Sequence, residues 1–114
     1  MSGITTHVLD VSIGRPAAGV LVRLDRQTKD GDWETIGIQE TDTDGRARDL
    51  LRDGAPLIAA LHRLTFEVGS YFRDRQVDGF YEEVTIAFIV KDPSQYHHVP
   101  LLLSPFGYST YRGS

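Results

Sequence analysis

Along most of the chain, apolar and polar positions alternate in short runs separated by turn-forming residues. This is the pattern of half-buried β-strands in a sandwich or barrel. The first run is "ITTHVLDV", and the Gly- and Pro-rich turn "GRPAAG" follows it. In "GVLVRLDRQT", Val20, Val22 and Leu24 fall on one face at period two. "WETIGIQETD" pairs back across "KDGD", where Asp30-Gly31 suits the positive φ of a hairpin turn. "TDGR" turns the chain again, with Gly45 as its left-handed residue. Leu64, Phe66 and Val68 alternate in "HRLTFEVG". "SYFRDRQ" breaks the alternation and predicts a short helix capped by Ser70, with Tyr71, Phe72 and Arg75 in the next turn. "EVTIAFIVKD" is apolar on both parities, which predicts a central strand covered on both faces. "HHVPLLLSP" and "GYSTYRGS" form the last pair. The expectation is an all-β sandwich of about eight strands with one short helix, a single domain over residues 1–114.

Composition narrows the function classes. The sequence has no cysteine, which excludes a disulfide framework, thiolate metal sites and a cysteine nucleophile. A net charge of -4 with no basic run gives nucleic-acid binding no support. No apolar stretch approaches the ~20 residues that cross a bilayer. The N-terminus "MSGITTHVLD" lacks the positive flank and apolar run of a secretory signal, and the tail is not a lipidation or peroxisomal ending. A cytoplasmic protein without membrane contact is expected, with a peroxisomal location left open for a eukaryotic source.

Parity also sorts the histidines. Ile4, Thr6 and Val8 share one face of the first strand, and Thr5, His7 and Leu9 share the other. In the strand before the last, Val99, Leu101 and Leu103 oppose His98, Pro100 and Leu102. If Val8 and Leu101 face the core, His7 and His98 face outward, on a surface that still carries Leu9 and Leu102. Such a face suits contact with another protein chain. A pair of neutral imidazoles could deprotonate a water and protonate a leaving nitrogen. His62 and His97 read as half-exposed strand residues without special role. His97 and His98 are adjacent, so their rings point to opposite faces and cannot share a metal. No "HxH" or "HExxH" pattern is present, and no metal or cofactor is expected.

Arg46 follows Thr43-Asp44-Gly45. Its planar guanidinium could clamp a carbonyl–nitrogen edge through two parallel hydrogen bonds, with Asp42, Asp44 and Asp49 as competing ion-pair partners. Arg112 carries the same ambiguity. The ending "YSTYRGS" is also unusual, since chain ends are normally frayed and ordering them costs entropy.

"THVLD", "GRPAAGV", "TDGR" and "YHHVPLLLSPFGYSTYRGS" resemble the 5-hydroxyisourate hydrolase family, transthyretin-like enzymes of purine catabolism. The resemblance covers essentially the whole chain, and the Tyr-Arg-Gly-Ser ending is the family signature. It implies a prealbumin-like sandwich of two four-stranded sheets with one short helix. It implies a homotetramer, a dimer of dimers, with active sites at the dimer–dimer interface and a small purine-derived substrate. His7, Arg46, His98 and Ser114 are the implied catalytic residues, and His7, Arg46, Tyr111 and Arg112 the implied substrate-binding ones. The implied reaction is the hydrolytic opening of 5-hydroxyisourate without a metal. "YHHV" stands where the family pattern has "HYHV", and His98 keeps its place before Val99. Which histidine is base and which is acid is left open. The rival readings are a transthyretin-type carrier of a small aromatic ligand, a structural sandwich without a pocket, and a zinc amidohydrolase.

Overall fold

The period-two faces of the sequence become the inner faces of two stacked sheets in the computed structural model, which describes residues 3–51 and 55–114. The elements are β1 (Gly3–Asp10), β2 (Arg15–Pro16), β3 (Leu21–Gln27), β4 (Trp33–Glu40), β5 (Arg46–Ala47), β6 (Ala60–Phe66), α1 (Val68–Asp74), β7 (Val84–Val90), β8 (Tyr96–Ser104) and β9 (Gly107–Thr110). One sheet has the order β4-β3-β6-β7. In the other, β1 runs parallel to β8 along its whole length, and β8 pairs antiparallel with β9. The remaining edge of β1 is shared end to end by β5, opposite Thr6 and His7, and β2, opposite Leu9 and Asp10. The two short strands together fill the fourth place in this sheet.

The core comes from the positions that parity selects. Ile4, Val8, Leu101 and Leu103 from one sheet meet Val22, Leu24, Leu64 and Phe66 from the other, and none is more than 1% exposed. Burying each such side chain stabilises the fold by about 1.5–3 kcal/mol.

Two elements differ from the sequence expectation. Helix α1 starts at Val68 with Glu67 at the cap position and no side-chain cap, so Ser70 lies inside the helix. The physical reason is a backbone substitute: the Gly69 N–H donates to the Glu82 carbonyl at 2.8 Å and so satisfies a first-turn donor. Among the described residues, strand β7 pairs only with β6, which makes it an edge strand, not a central one. Val84 and Val90 are buried, Ile86 and Phe88 are half-buried against the core, and Ile89 on the other face is 63% exposed. Its double apolar parity therefore reflects an open outer face, not two covered ones. No helix among the described residues is long and apolar enough to cross a membrane.

Candidate active site

Four elements bring the outward-facing residues together. His7 in β1 and Arg46 in β5 are direct partners across an antiparallel pair. Such partners leave the sheet on the same side, with Cβ atoms roughly 4.5–5.5 Å apart. Thr5, two residues before His7 on that face, is level with His98 in β8. The turn before β5 is built to present Arg46. Gly45 has φ +76°, and a Cβ there would lie 2.4 Å from the Val8 carbonyl oxygen, so only glycine fits. Asp42 Oδ1 accepts hydrogen bonds from the backbone N–H groups of Asp44 and Arg46 at 2.9 and 3.0 Å. The Arg46 bond, ahead of the smaller influences, holds the Asp42 carboxyl below the usual carboxylate range. Among the described residues no carboxylate lies within ion-pair distance of the Arg46 guanidinium, so the competing salt bridges do not form.

The chain end returns to the same face. Leu101 pairs with Thr110, and three residues further along, His98 pairs with Gly113 in the same register. The ladder lapses between them at Pro100, which has no N–H to offer. The Thr110 hydroxyl bonds the Pro100 carbonyl at 2.7 Å, and the Gly113 N–H bonds the His98 carbonyl at 2.8 Å. These bonds order the tail and carry Ser114 to the site.

A cavity of about 480 Å³ opens here, lined by Arg46, His98 and Ser114 with Thr5, Arg48 and Tyr96. Tyr111 and Arg112 line a second, more apolar cavity of about 260 Å³ with Ile86 and Phe88, and His98 forms part of the wall of both. Arg112 gives its guanidinium to the Gln95 side chain and the Tyr96 carbonyl, at 3.2 and 3.3 Å. Within one chain, then, Arg46, His98 and Ser114 share a cavity, His7 flanks it, and Tyr111 and Arg112 lie on the far side of His98.

The His98 imidazole is held on two sides. Thr5 Oγ1 and His98 Nδ1 share a hydrogen bond of 2.8 Å. A Cβ at Gly113 would stand 2.5 Å from His98 Cδ2, so the tail backbone lies against the ring. Burial lowers the pKa of His98 first, and the positive Arg46 and then His7 add to this. The ring is thus neutral at pH 7 and able to accept a proton.

His62 and His97 are not the half-exposed residues that the sequence suggested. They are 0% and 4% exposed and face the core from opposite sheets. His62 Nδ1 is 3.0 Å from the Ala60 carbonyl, while His62 Nε2 and His97 Nδ1 have no partner among the described residues. Among the described residues, no three histidine, aspartate or glutamate side chains gather as a metal-ligand set. Thr5, Arg48 and Tyr96 were not picked out from the sequence. Tyr96 shares the parity of His98, and Thr5 that of His7, so alternation carried a signal for both. Arg48 lies beyond β5 in irregular chain that gave none.

The match to known proteins spans this arrangement up to Gly113, with residues 4–113 fitting the HIUase/Transthyretin family. The chain belongs to this family. A 5-hydroxyisourate hydrolase from Caulobacter vibrioides is 48% identical over an alignment of 119 positions that covers all of both chains. The solved structure of Klebsiella pneumoniae 5-hydroxyisourate hydrolase matches with a TM-score of 0.83 at 37% identity, covering 97% of this chain and 98% of that one. Sea bream transthyretin, solved in complex with thyroxine, matches with a TM-score of 0.88 at 28% identity, covering 96% and 93%. Family members with different names thus share one backbone, and what distinguishes them has to lie in side chains.

Proposed function

We propose that this chain is a hydrolase that opens the ring of 5-hydroxyisourate to 2-oxo-4-hydroxy-4-carboxy-5-ureidoimidazoline. The observation that carries the reading is the cavity in which Arg46, His98 and the terminal Ser114 meet beside His7, in a chain 48% identical end to end to a 5-hydroxyisourate hydrolase. In the proposed reaction a water oxygen bonds to a ring carbonyl carbon, the adjacent carbon–nitrogen bond breaks, and the water protons pass to the nitrogen and to solvent. His98 and His7 orient and deprotonate the water. Arg46 binds the purine edge and steadies the charge that grows on it, an effect of about 3 kcal/mol for one well-placed donor. Ser114 fixes the ring from the tail side. Tyr111 and Arg112 would act from a neighbouring copy or from across His98. The working assembly is a homotetramer, a dimer of dimers with sites at the dimer–dimer interface. The half-buried Leu9 and Leu102 on the same outer face support such an interface. No step needs a metal.

The decisive assay follows the absorbance of 5-hydroxyisourate, made freshly from urate and urate oxidase, with and without the protein and with EDTA throughout. Decay well above the spontaneous rate is expected. Decay at the spontaneous rate from folded protein would instead favour a carrier of small aromatic ligands. His98→Asn should reduce turnover to the background while the oligomer, measured by sedimentation, is unchanged. Turnover near that of the parent would sink the role given to His98.

A further inference from the structure

Ring opening creates a charge that the substrate ring lacks, and one side chain of the cavity without a role so far is fitted to receive it. We propose that Arg48 is a product-binding residue: its guanidinium takes the carboxylate that hydrolysis creates, while Arg46 holds the neighbouring carbonyl–nitrogen edge. The link to the product rests on the hydrolase reading, whereas a carboxylate site at Arg48 does not.

The chemistry sets the need. As the water oxygen bonds to the carbonyl carbon and the carbon–nitrogen bond breaks, the nitrogen leaves as N–H and the carbon becomes a carboxylic acid. Such an acid, with a pKa of about 4, gives its proton to solvent at neutral pH. An amide edge thus becomes an anion while still inside the cavity. A guanidinium suits it best, because two parallel N–H groups match the two carboxylate oxygens.

Arg48 lines the same cavity as Arg46, His98 and Ser114. Register fixes its place. Arg46 stands opposite His7 and Ala47 opposite Thr6 across the β1–β5 pair, so one residue further on Arg48 comes level with Thr5. Thr5 is level with His98 on its other side and shares a hydrogen bond with it at 2.8 Å. Arg48 and His98 therefore flank Thr5, beside the pairing of Arg46 with His7. The Tyr96 ring closes this end of the cavity and lies against Gly3, where a Cβ would be 3.2 Å from Tyr96 Cε1. The backbone that carries Arg48 is anchored. Ala47 and Leu50 are buried on either side of it, and the Asp49 N–H donates to Gln39 Oε1 of β4 at 3.0 Å. The Arg48 guanidinium is uncommitted: Asp49 also lines the cavity, yet among the described residues no carboxylate lies within ion-pair distance of Arg48. Asp42, across the turn, already accepts from the N–H groups of Asp44 and Arg46. Two unpaired guanidinium groups two residues apart can hold a ring edge and an adjoining carboxylate together.

The test uses two planar probes that differ in one group, on the full chain. Orotate is uracil with a carboxylate beside a ring N–H, so both offer a carbonyl–nitrogen edge and only orotate offers the anion. Titrations followed by the amide 15N–1H shifts of the cavity residues should show orotate binding about tenfold more tightly than uracil. Arg48→Gln should bring orotate down to the affinity of uracil. Arg46→Gln should weaken both probes alike and keep the preference. Equal affinities in the parent, no orotate binding, or a preference that survives Arg48→Gln would overturn the site, as would a preference lost in Arg46→Gln alone. A kinetic arm uses orotate as an inhibitor of 5-hydroxyisourate turnover. In Arg48→Gln its inhibition constant should rise about tenfold, well beyond any rise in KM, because the substrate carries no carboxylate. A KM that rises by the same factor would place Arg48 on the substrate ring and refute the product role. If the chain shows no turnover yet Arg48→Gln abolishes the orotate preference, the reaction assignment falls and the carboxylate site stands. Turnover without any orotate preference would give the reverse.

Discussion

A methyl group added at position 113 would come within 2.5 Å of His98 Cδ2 and 3.3 Å of Pro100 Cγ. Neither neighbour can give easily, since Thr5 holds the imidazole and Pro100 is rigid within β8. The tail must therefore lift or the ring must rotate. Gly113→Ala is expected to lower kcat at least tenfold, because reacting groups displaced by about 1 Å lose rates of that order. The thermal midpoint should hardly move, because the tail adds little to the core. Steady-state kinetics and a melting curve on one sample check this, and an unchanged kcat would mean that the tail does not set the ring. At this scale alternation was an effective guide: it put His7 and His98 on the outer face and Val8 and Leu101 in the core. It passed over Thr5 because a hydroxyl becomes informative only once the β1–β8 register levels it with His98. Ser114 had no physical signal of its own in the sequence. Only the resemblance of the ending marked it, and the ladder that resumes beyond Pro100 explains its position.

At the scale of elements, the join between α1 and β1 tests how helix and sheet are fixed to each other. The Tyr71 hydroxyl donates to Asp10 Oδ2 at 2.9 Å, and Ser12 bonds the other oxygen. Tyr71 and Asp10 are both buried. Burial first, and then Asp10, push the Tyr71 pKa up to about 12, so the phenol remains a donor at any working pH. Tyr71→Phe retains the packing but leaves one buried carboxylate oxygen without its partner. The expected loss is about 1–3 kcal/mol, read from the urea midpoint at constant m-value. A change within the error of the midpoint would show that water replaces the phenol without cost. The helix itself was legible because "SYFRDRQ" breaks the β pattern, but its start was not, because its first-turn donor is met by the distant Glu82 carbonyl. The same limit applies to β7. Its apolar outer face is visible in the sequence, whereas its place at the sheet edge depends on pairing that period alone does not specify.

At the scale of the whole molecule, stacking the sheets encloses two imidazoles that the sequence left on separate strands. His62 comes from β6 and His97 from β8, and they are close enough for His97 to lower the pKa of His62. Burial is the main cause of the lowering in both. Arg26 adds to it for His62 and Arg112 for His97, while Ala60 opposes it for His62, and Gln95 and Asp92 oppose it for His97. The sign of the effect on stability follows from linkage. In the folded chain both rings hold their protons less tightly than in the unfolded chain, where the pKa is about 6.5. Above that pH both states are neutral and the pair does not affect the balance. Below it the unfolded chain takes up protons that the folded chain refuses, so stability falls by up to about 1.4 kcal/mol per pH unit for each histidine. Between about pH 6.5 and 4.5 the lowered His98 adds to the decline with the same sign, and this window separates the histidines from the carboxylates, which titrate mainly below it. Asp25 is one such group: burial alone would raise its pKa, but bonds from Arg63 and Thr35 and the charge of Arg23 outweigh that and lower it, so its contribution is lost only at still lower pH. Thermal midpoints measured across the window should decline with acid in the parent chain. His97→Phe removes one of the three lowered histidines, His98 being the third, together with the orphaned Nδ1, and so should flatten the decline by about a third. An equally steep decline in that variant would place the acid sensitivity elsewhere. A variant that gains stability at every pH would show that a buried unpartnered imidazole costs the fold even when neutral.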